Sequence, residues 1–363
     1  MTIIIFIVIL ALLILVHELG HFLVAKKSGI RVDEFGLGFP PKAVSIKKGE
    51  TEYSLNWIPF GGFVKIFGEN PDEESIEGPD KERSFVHKNR AIQSAVLVAG
   101  VTFNMIFAWF LISLGFFVGM PASSEIYPDV TNPKTMIVAV RPDSPADRAG
   151  LRTGDVLERL FSDSGSELTK PTVSEAYEFL NQEADSKVEV SYSGPHGRVG
   201  KVELMAEEGI ADGRKVVGIT MDSIGILKIG FFGSFWEGMK TTVMLTRAIA
   251  VALWGFVSDA FTGQADFSQV TGPVGIVGLV GEASDLGFSY LLSFTAIISI
   301  HLAVINLAPF PALDGGRLLF VAIEAIRRKA ISPKIANTLN AIGFSLLILL
   351  MLVVTFKDIM KLF

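Results

Sequence analysis

The sequence predicts a polytopic α-helical membrane protein with about four transmembrane helices, a small sheet-forming segment between the first two, and an inserted α+β domain. Three observations carry this. Half of the 363 residues are hydrophobic and the mean hydropathy is +0.47, more apolar than a soluble domain of this size. Four segments are long and apolar enough to span: Ile3 to Ala25, Ala91 to Val118, Leu286 to about Phe310, and Ala341 to Phe356. The region 128–222 changes character and is polar and strand-like.

The first run, at 1.5 Å per residue, reaches roughly 35 Å and exceeds a hydrocarbon core of about 30 Å. No basic residue precedes it and no small-residue cleavage site follows, so it reads as a retained span rather than a signal peptide. Lys26, Lys27 and Arg31 follow the first span, and Lys88 and Arg90 precede the second. The positive-inside rule makes that loop cytoplasmic and the 120–230 region external. Arg327, Arg328, Lys329 and Lys334 after the third span are again inside. This parity requires that Phe231 to Val257 does not cross. That segment carries Glu237, Lys240 and Arg247, costly at bilayer depth, and is expected to be an amphipathic helix on the outer face or against the bundle.

Within the 26–90 loop, Thr51 to Asn56 and Gly62 to Phe67 alternate apolar and polar residues as short strands do, and Gly61-Gly62 marks a turn. A sheet with an exposed edge could pair with an extended peptide; the alternative is an ordinary structural hairpin. Pro71 to Arg83 is acidic and solvated. In 128–222, strands are expected at "TMIVAV", "KVEVSYS", "KVELMA" and "KVVGIT", and a helix over Val173 to Gln182.

The net charge of -6 gives no basic footprint for nucleic acid. With no cysteine there is no disulfide, thiolate metal site or thiol nucleophile, and a metal would have to use His, Asp or Glu.

His17-Glu18-Leu19-Gly20-His21 is an H-E-x-x-H motif inside the first apolar run. On a helix the two histidines lie one turn apart on one face and can bind one zinc ion, with Glu18 beside them to take a proton from the attacking water and return it to the leaving amine. Ionisable groups inside a membrane segment are expensive and functional by default. The alternative is a packing pair of histidines with Glu18 as their partner. A catalytic zinc needs a third protein ligand. Asp314 is the candidate: Asn306, Pro309 and Pro311 break the helix before it, and Gly315-Gly316 after it permit close backbone approach. Irregular backbone at membrane depth belongs in a protein-lined cavity; the alternative is an Asp that caps the resuming helix. His301 is expected to pack or hydrogen-bond rather than ligate. Asn306 could hold a substrate backbone or stabilise an oxyanion, or satisfy carbonyls freed by the break. Asn104 reads as a helix–helix hydrogen-bonding residue.

With these residues in view, the chain resembles the site-2 proteases, specifically the bacterial regulator-of-sigma-E type of zinc metalloprotease. The resemblance rests on "HELGH", "INLAPFPALDGGRLLF", "FGLGFPP", "TEYSLNWIPFGGFVKI" and "GPVGI" (272–276), and covers nearly the whole chain. "VAVRPDSPADRAGLRTGDVLERL" (138–160) resembles a PDZ domain. The resemblance implies a fold with a membrane-associated β-hairpin and an inserted α+β PDZ domain. Its segments are a first transmembrane half (1–120), an extracytoplasmic PDZ domain (128–222), an amphipathic helix (231–260) and a second transmembrane half (270–363). It implies Zn2+ held by His17, His21 and Asp314, with Glu18 as general base. It further implies intramembrane proteolysis of single-span membrane proteins already cut outside, such as anti-sigma factors or remnant signal peptides, at the inner (plasma) membrane, with the active site nearer the cytoplasmic side. The substrate would join the 51–67 strands, with Gly61, Gly62, Phe63 and Val64 at the contact, and Asn306 and Pro311 match residues linked to substrate handling. Two departures stand out. There is room for one PDZ domain rather than two, and the second span has Val101 where the family usually has Pro. The competing classes are a non-enzymatic PDZ scaffold or pseudoprotease, disfavoured by the intact motif, and a zinc transporter, disfavoured by the lack of an inverted repeat.

Overall fold

Helix α1 (Thr2–Lys27) is apolar around its whole circumference. Its buried residues Ile9, Leu13, Gly20, His21 and Ala25 form one stripe, while Ile3, Ile4, Val8 and Leu12 are exposed. A helix that is hydrophobic all round is either deep core or a membrane span. In a computed structural model of the chain, residues 1–211, 214–264, 270–329 and 331–360 are described. Residues 212 and 213 of the expected inserted domain, and residues 330 and 361–363 of the expected last segment, lie outside the described residues.

After α1 come β1 (Val32–Lys48) and β2 (Thr51–Ile66). Phe35, Gly36 and Leu37 pair on one side with Val64, Phe63 and Gly62, and on the other with Tyr53, Ser54 and Leu55. Val44, Ser45 and Ile46 then pair with Leu55, Ser54 and Tyr53. The segment 51–56 is therefore interior, and 62–66 and 42–48 are the outer segments. No strand was expected at β1, where Gly36, Gly38, Pro40 and Pro41 interrupt the strand pattern. Glycine at 38 is needed there: it has φ +82°, and a Cβ would press on the Ile58 carbonyl oxygen at 2.6 Å. Val44, Ile46, Trp57 and Ile58 leave an apolar face of this sheet exposed.

The short α2 (Glu73–Glu77) is held by a capping box between Asp72 and Ser75. Then come α3 (Arg90–Val118), β3 (Met120–Ser123), β4 (Thr131–Val140), α4 (Pro145–Arg148), β5 (Val156–Ser162), β6 (Glu167–Thr169), α5 (Val173–Gln182), β7 (Val188–Ser193), β8 (Val199–Leu204), β9 (Glu207–Ala211), β10 (Arg214–Val216) and β11 (Ile219–Leu227). The chain closes with α6 (Phe231–Thr262), α7 (Pro273–Leu286), α8 (Phe288–Leu307), α9 (Asp314–Arg327) and α10 (Pro333–Met360).

Two compact units result. One comprises 1–113, 235–281 and 294–363; the other comprises 114–234 and 282–293. The second holds an antiparallel sheet in the order β3-β11-β4-β5-β7-β8, with β6 on β5. Its core gathers Ile137, Leu157, Leu160, Val188, Val190 and Leu204 with Ala176 and Leu180 of α5, and α5 begins with a Thr172–Glu175 capping box. The first unit holds a core of Ala25, Ile30, Val32, Val64, Ile66, Phe85, Val96, Leu97 and Val321, tying α1, the β1–β2 sheet, α3 and α9 together.

The chain is a multi-pass membrane protein by the measure of its helices: five are long and apolar enough to cross a membrane, namely α1, α3, residues Phe231–Ala260 of α6, α8 and α10. The expectation was about four. The additional one is the segment set aside for its charges, two of which, Glu237 and Lys240, form an ion pair at 2.5 Å.

Gly20 lets α1 pass α3 at backbone contact, because a Cβ there would sit 2.5 Å from the Ala99 carbonyl oxygen. Gly20→Val is expected to lower the thermal unfolding midpoint of the detergent-solubilised protein, by an equivalent of about 1–3 kcal/mol for overpacking. An unchanged midpoint would show that the helices do not need this approach.

Candidate metal centre

The histidines of α1 project from one face, one turn apart, with their Nε2 atoms 3.2 Å from each other. His21 is buried, and its Nδ1 lies 2.8 Å from the Val96 carbonyl oxygen of α3. A carbonyl only accepts, so this Nδ1 carries the proton and leaves an Nε2 lone pair facing His17. Beneath both rings passes Gly100 of α3, where a Cβ would collide with His21 Nε2 and approach His17 Nε2 to 2.8 Å. Glycine is required at this position for the rings to stand where they do.

Asp314 reaches the pair from α9. Its Oδ2 lies 3.1 Å from His17 Nε2 and 3.3 Å from His21 Nε2. The chain delivers it through a tight reversal after α8, in which Leu313 N–H donates to the Phe310 carbonyl at 3.1 Å and Ala312 adopts φ +76°. The N–H groups of Gly316 and Arg317 then donate back to the Leu313 carbonyl. Gly315 and Gly316 lie flush against this turn: a Cβ on either would collide with carbonyl oxygens, those of Leu307 and Ala308 for Gly315 and that of Phe310 for Gly316. Arg317 pairs with Glu69, and Arg90 with Glu324 at 2.6 Å, fixing α9 to the loop after β2 and to the start of α3. Asp314 is not a helix cap. It is the first helical residue, Leu313 holds the cap position, and the helix has no side-chain cap bond.

His17, His21 and Asp314 form a group able to hold a metal ion. Their donor atoms make a triangle with edges of 3.1, 3.2 and 3.3 Å. A tetrahedral zinc site with ligand bonds of about 2.0–2.1 Å has edges of roughly 3.3 Å. Asp314 Oδ2 is buried without a hydrogen-bond partner, as a carboxylate oxygen aimed at a cation would be. The triangle fits zinc on donor chemistry and on spacing.

Beside it lies a cavity of about 270 Å³, lined by Ile14, His17, Glu18, Gly61, Gly62, Asn104, Leu302, Asn306, Ala312, Leu313 and Asp314. Glu18 makes no ion pair with either histidine and no hydrogen bond among the described residues, so it is not their packing partner; it faces the cavity. Gly62 crosses close to it, since a Cβ would stand 3.3 Å from Glu18 Cγ and 2.8 Å from Ile14 Cγ2. Of the other residues singled out from sequence, Asn306, Gly61 and Gly62 are on the cavity wall. Val64 is in the core, Phe63 lies over Gly36, and the Pro311 carbonyl is turned toward Gly343 of α10; none of these three lines the cavity. His301 is exposed and bonded through Nδ1 to the Ile297 carbonyl at 2.9 Å, outside the metal group. Asn104, expected to hydrogen-bond between helices, does so with its amide 3.4 Å from His17 Nδ1. The signal was present in the spacing of Gly100 and Asn104, one turn apart on α3.

The model of peptidase family M50 matches residues 5–350. The chain belongs to peptidase family M50. Members are the site-2 proteases, and this M50 chain is a site-2-type zinc metalloprotease. Among similar proteins, one from Clostridium perfringens, named as a candidate zinc metalloprotease, is 34% identical over 354 residues, covering 96% of this chain and 95% of the relative. Zinc metalloprotease RasP of Oceanobacillus iheyensis is 30% identical over 443 aligned positions, covering 100% of this chain and 99% of its own. Regulator of sigma-W protease RasP of Bacillus subtilis is 30% identical over 438 positions, covering 100% and 99%.

Replacing any one of His17, His21 or Asp314 by Ala is expected to abolish stoichiometric zinc in the purified M50 protein, read by elemental analysis. Full zinc occupancy in Asp314→Ala would remove that carboxylate from the ligand set.

Proposed function

We propose that the chain hydrolyses peptide bonds in or near the transmembrane segments of membrane proteins, with zinc held by His17, His21 and Asp314 and with Glu18 as general base. The observation that carries this is the convergence of three donors at 3.1–3.3 Å beside an unpaired carboxylate on a shared cavity, built from helices long and apolar enough to cross a bilayer.

When bound, zinc supplies Lewis acidity that polarises a carbonyl and makes water nucleophilic at neutral pH. The protein supplies the rest. Glu18 accepts a proton from the attacking water and hands it to the leaving amine. Among the described residues it has no hydrogen-bond partner, which leaves both oxygens available for this. Asn306, on the cavity wall, offers amide N–H groups to the oxygen on which negative charge develops. The Asp314 turn and the Val96 carbonyl hold the donors in place, so no reorganisation is needed as charge moves.

A substrate helix hides its scissile amide in its own hydrogen bonds and must unwind, exposing backbone groups that a bilayer cannot satisfy. The outer segment 62–66 of the β1–β2 sheet is read as the edge that pairs with this extended stretch. Gly61 and Gly62 at its cavity end support that reading, because a side chain at 62 would fill the space beside Glu18. Phe63 and Val64 contribute through the pairing backbone. The exposed Val44, Ile46, Trp57 and Ile58 support the sheet as membrane-associated. The β3–β11 domain is read as a single extracytoplasmic PDZ module that screens substrates, with α6 following it. The positive residues around 26–31 and 327–334 support an active site nearer the cytoplasmic face of the plasma membrane. The natural substrates are read as single-span membrane proteins trimmed beforehand, of the anti-sigma-factor kind.

Glu18→Gln is expected to keep full zinc and lose cleavage of a trimmed single-span model substrate by at least about 10²–10⁴-fold. Loss of zinc together with activity would contradict the division between ligand and base. Gly62→Val is expected to keep zinc and block cleavage of the same substrate. Undiminished turnover would show that the substrate does not pass this strand.

A further inference from the structure

We infer that Asn104 is the positioning residue for the zinc ligand His17, setting which of its ring nitrogens carries the proton. The inference rests on the metalloprotease reading and goes beyond it, because the resemblance and the metal group name only the donors.

His21 has its orientation fixed by the Val96 carbonyl at 2.8 Å. His17 has no such carbonyl. The polar group at its Nδ1 is the Asn104 side chain, with Nδ2 at 3.4 Å. Asn104 is completely buried, and its Oδ1 has no hydrogen-bond partner. Its main-chain carbonyl accepts from Ser299 Oγ of α8 at 2.8 Å, which pins this turn of α3 against α8. The backbone at 104 is thus held, while no hydrogen bond among the described residues holds Oδ1 in its present orientation.

The chemistry of the imidazole makes that orientation matter. When the proton sits on Nε2, the Nδ1 lone pair accepts from Asn104 Nδ2–H at 3.4 Å. For His17 to offer an Nε2 lone pair to a metal, the proton must sit on Nδ1 and needs an acceptor there. A half-turn of the amide brings Oδ1 to that position. An amide serves both tautomers because it carries a donor and an acceptor on one plane. A hydroxyl is too short to span from this backbone, and a carboxylate accepts only. Asn104 therefore matches His17 in both protonation patterns, whereas Val96 serves His21 in one.

The test uses the full chain in detergent. Zinc affinity is measured by competition with a chromophoric chelator, the cobalt-substituted protein gives a visible spectrum of the coordination sphere, and melting of the metal-free protein reports the fold. Asn104→Leu keeps the branched shape and removes both hydrogen-bonding functions; Asn104→Asp keeps the acceptor. The expected result is a loss of zinc affinity of about 10–100-fold for Asn104→Leu with a changed cobalt spectrum, and affinity close to wild type for Asn104→Asp. If Asn104→Leu melts early without metal, Asn104→Ala takes its place under the same criterion. The inference is overturned if the variant lacking the amide binds zinc as tightly as wild type, or if Asn104→Asp loses zinc as severely as Asn104→Leu. A wild-type chain that holds no zinc is a different failure, that of the metalloprotease reading itself.

Discussion

Everything at the centre depends on backbone passing backbone without side chains between. The histidines of α1 can meet a carboxylate only if α3 runs directly beneath their rings and α9 starts directly against the end of α8. Gly20 and Gly100 permit the first, Gly315 and Gly316 the second. Each would, with a Cβ, press on a carbonyl or an imidazole at less than a normal contact distance. In an apolar surrounding, helices gain little from hydrophobic contact with one another, so close van der Waals approach and buried hydrogen bonds supply the specificity of packing. The donor triangle is a product of that packing.

The same logic explains the irregular stretch between α8 and α9. Unpaired backbone groups are intolerable in lipid, yet a carboxylate must be aimed inward from a position where no regular helix could aim it. The reversal at 308–313 meets both demands by bonding to itself and by stacking onto the glycines that follow. The Ala312 N–H is taken up by Asn340 Oδ1 of α10 at 3.2 Å, and Gly343 of the same helix lies against Pro311. Pro311 shapes the turn that presents Asp314, which accounts for a proline there without any contact to the cavity.

Much of this was legible in the sequence. The motif His17-Glu18-Leu19-Gly20-His21 announced two donors on one face, and the break around Pro309 and Pro311 with Gly315-Gly316 behind it pointed to Asp314. Val173–Gln182 was readable to the residue, because Thr172 and Glu175 bracket its first turn. The long strand 32–48 was not legible, since glycine and proline outweighed the alternation of Phe35, Leu37 and Phe39. The place of 51–56 inside the sheet was hidden for a different reason: pattern gives the faces of a strand but not its neighbours. By length and apolarity α6 joins the four expected spans, and the pairing of its charges, Glu237 with Lys240, appears only in three dimensions. Asn104 was legible as a fastener between helices, which both its amide, toward His17 of α1, and its main chain, toward Ser299 of α8, bear out; which residue it meets was not readable from pattern.

The donors are also far apart in the order of synthesis. The histidines emerge with the first helix, and the aspartate follows only after the sheet domain and α8. A chain still being made therefore holds the two imidazoles without the carboxylate that completes the triangle.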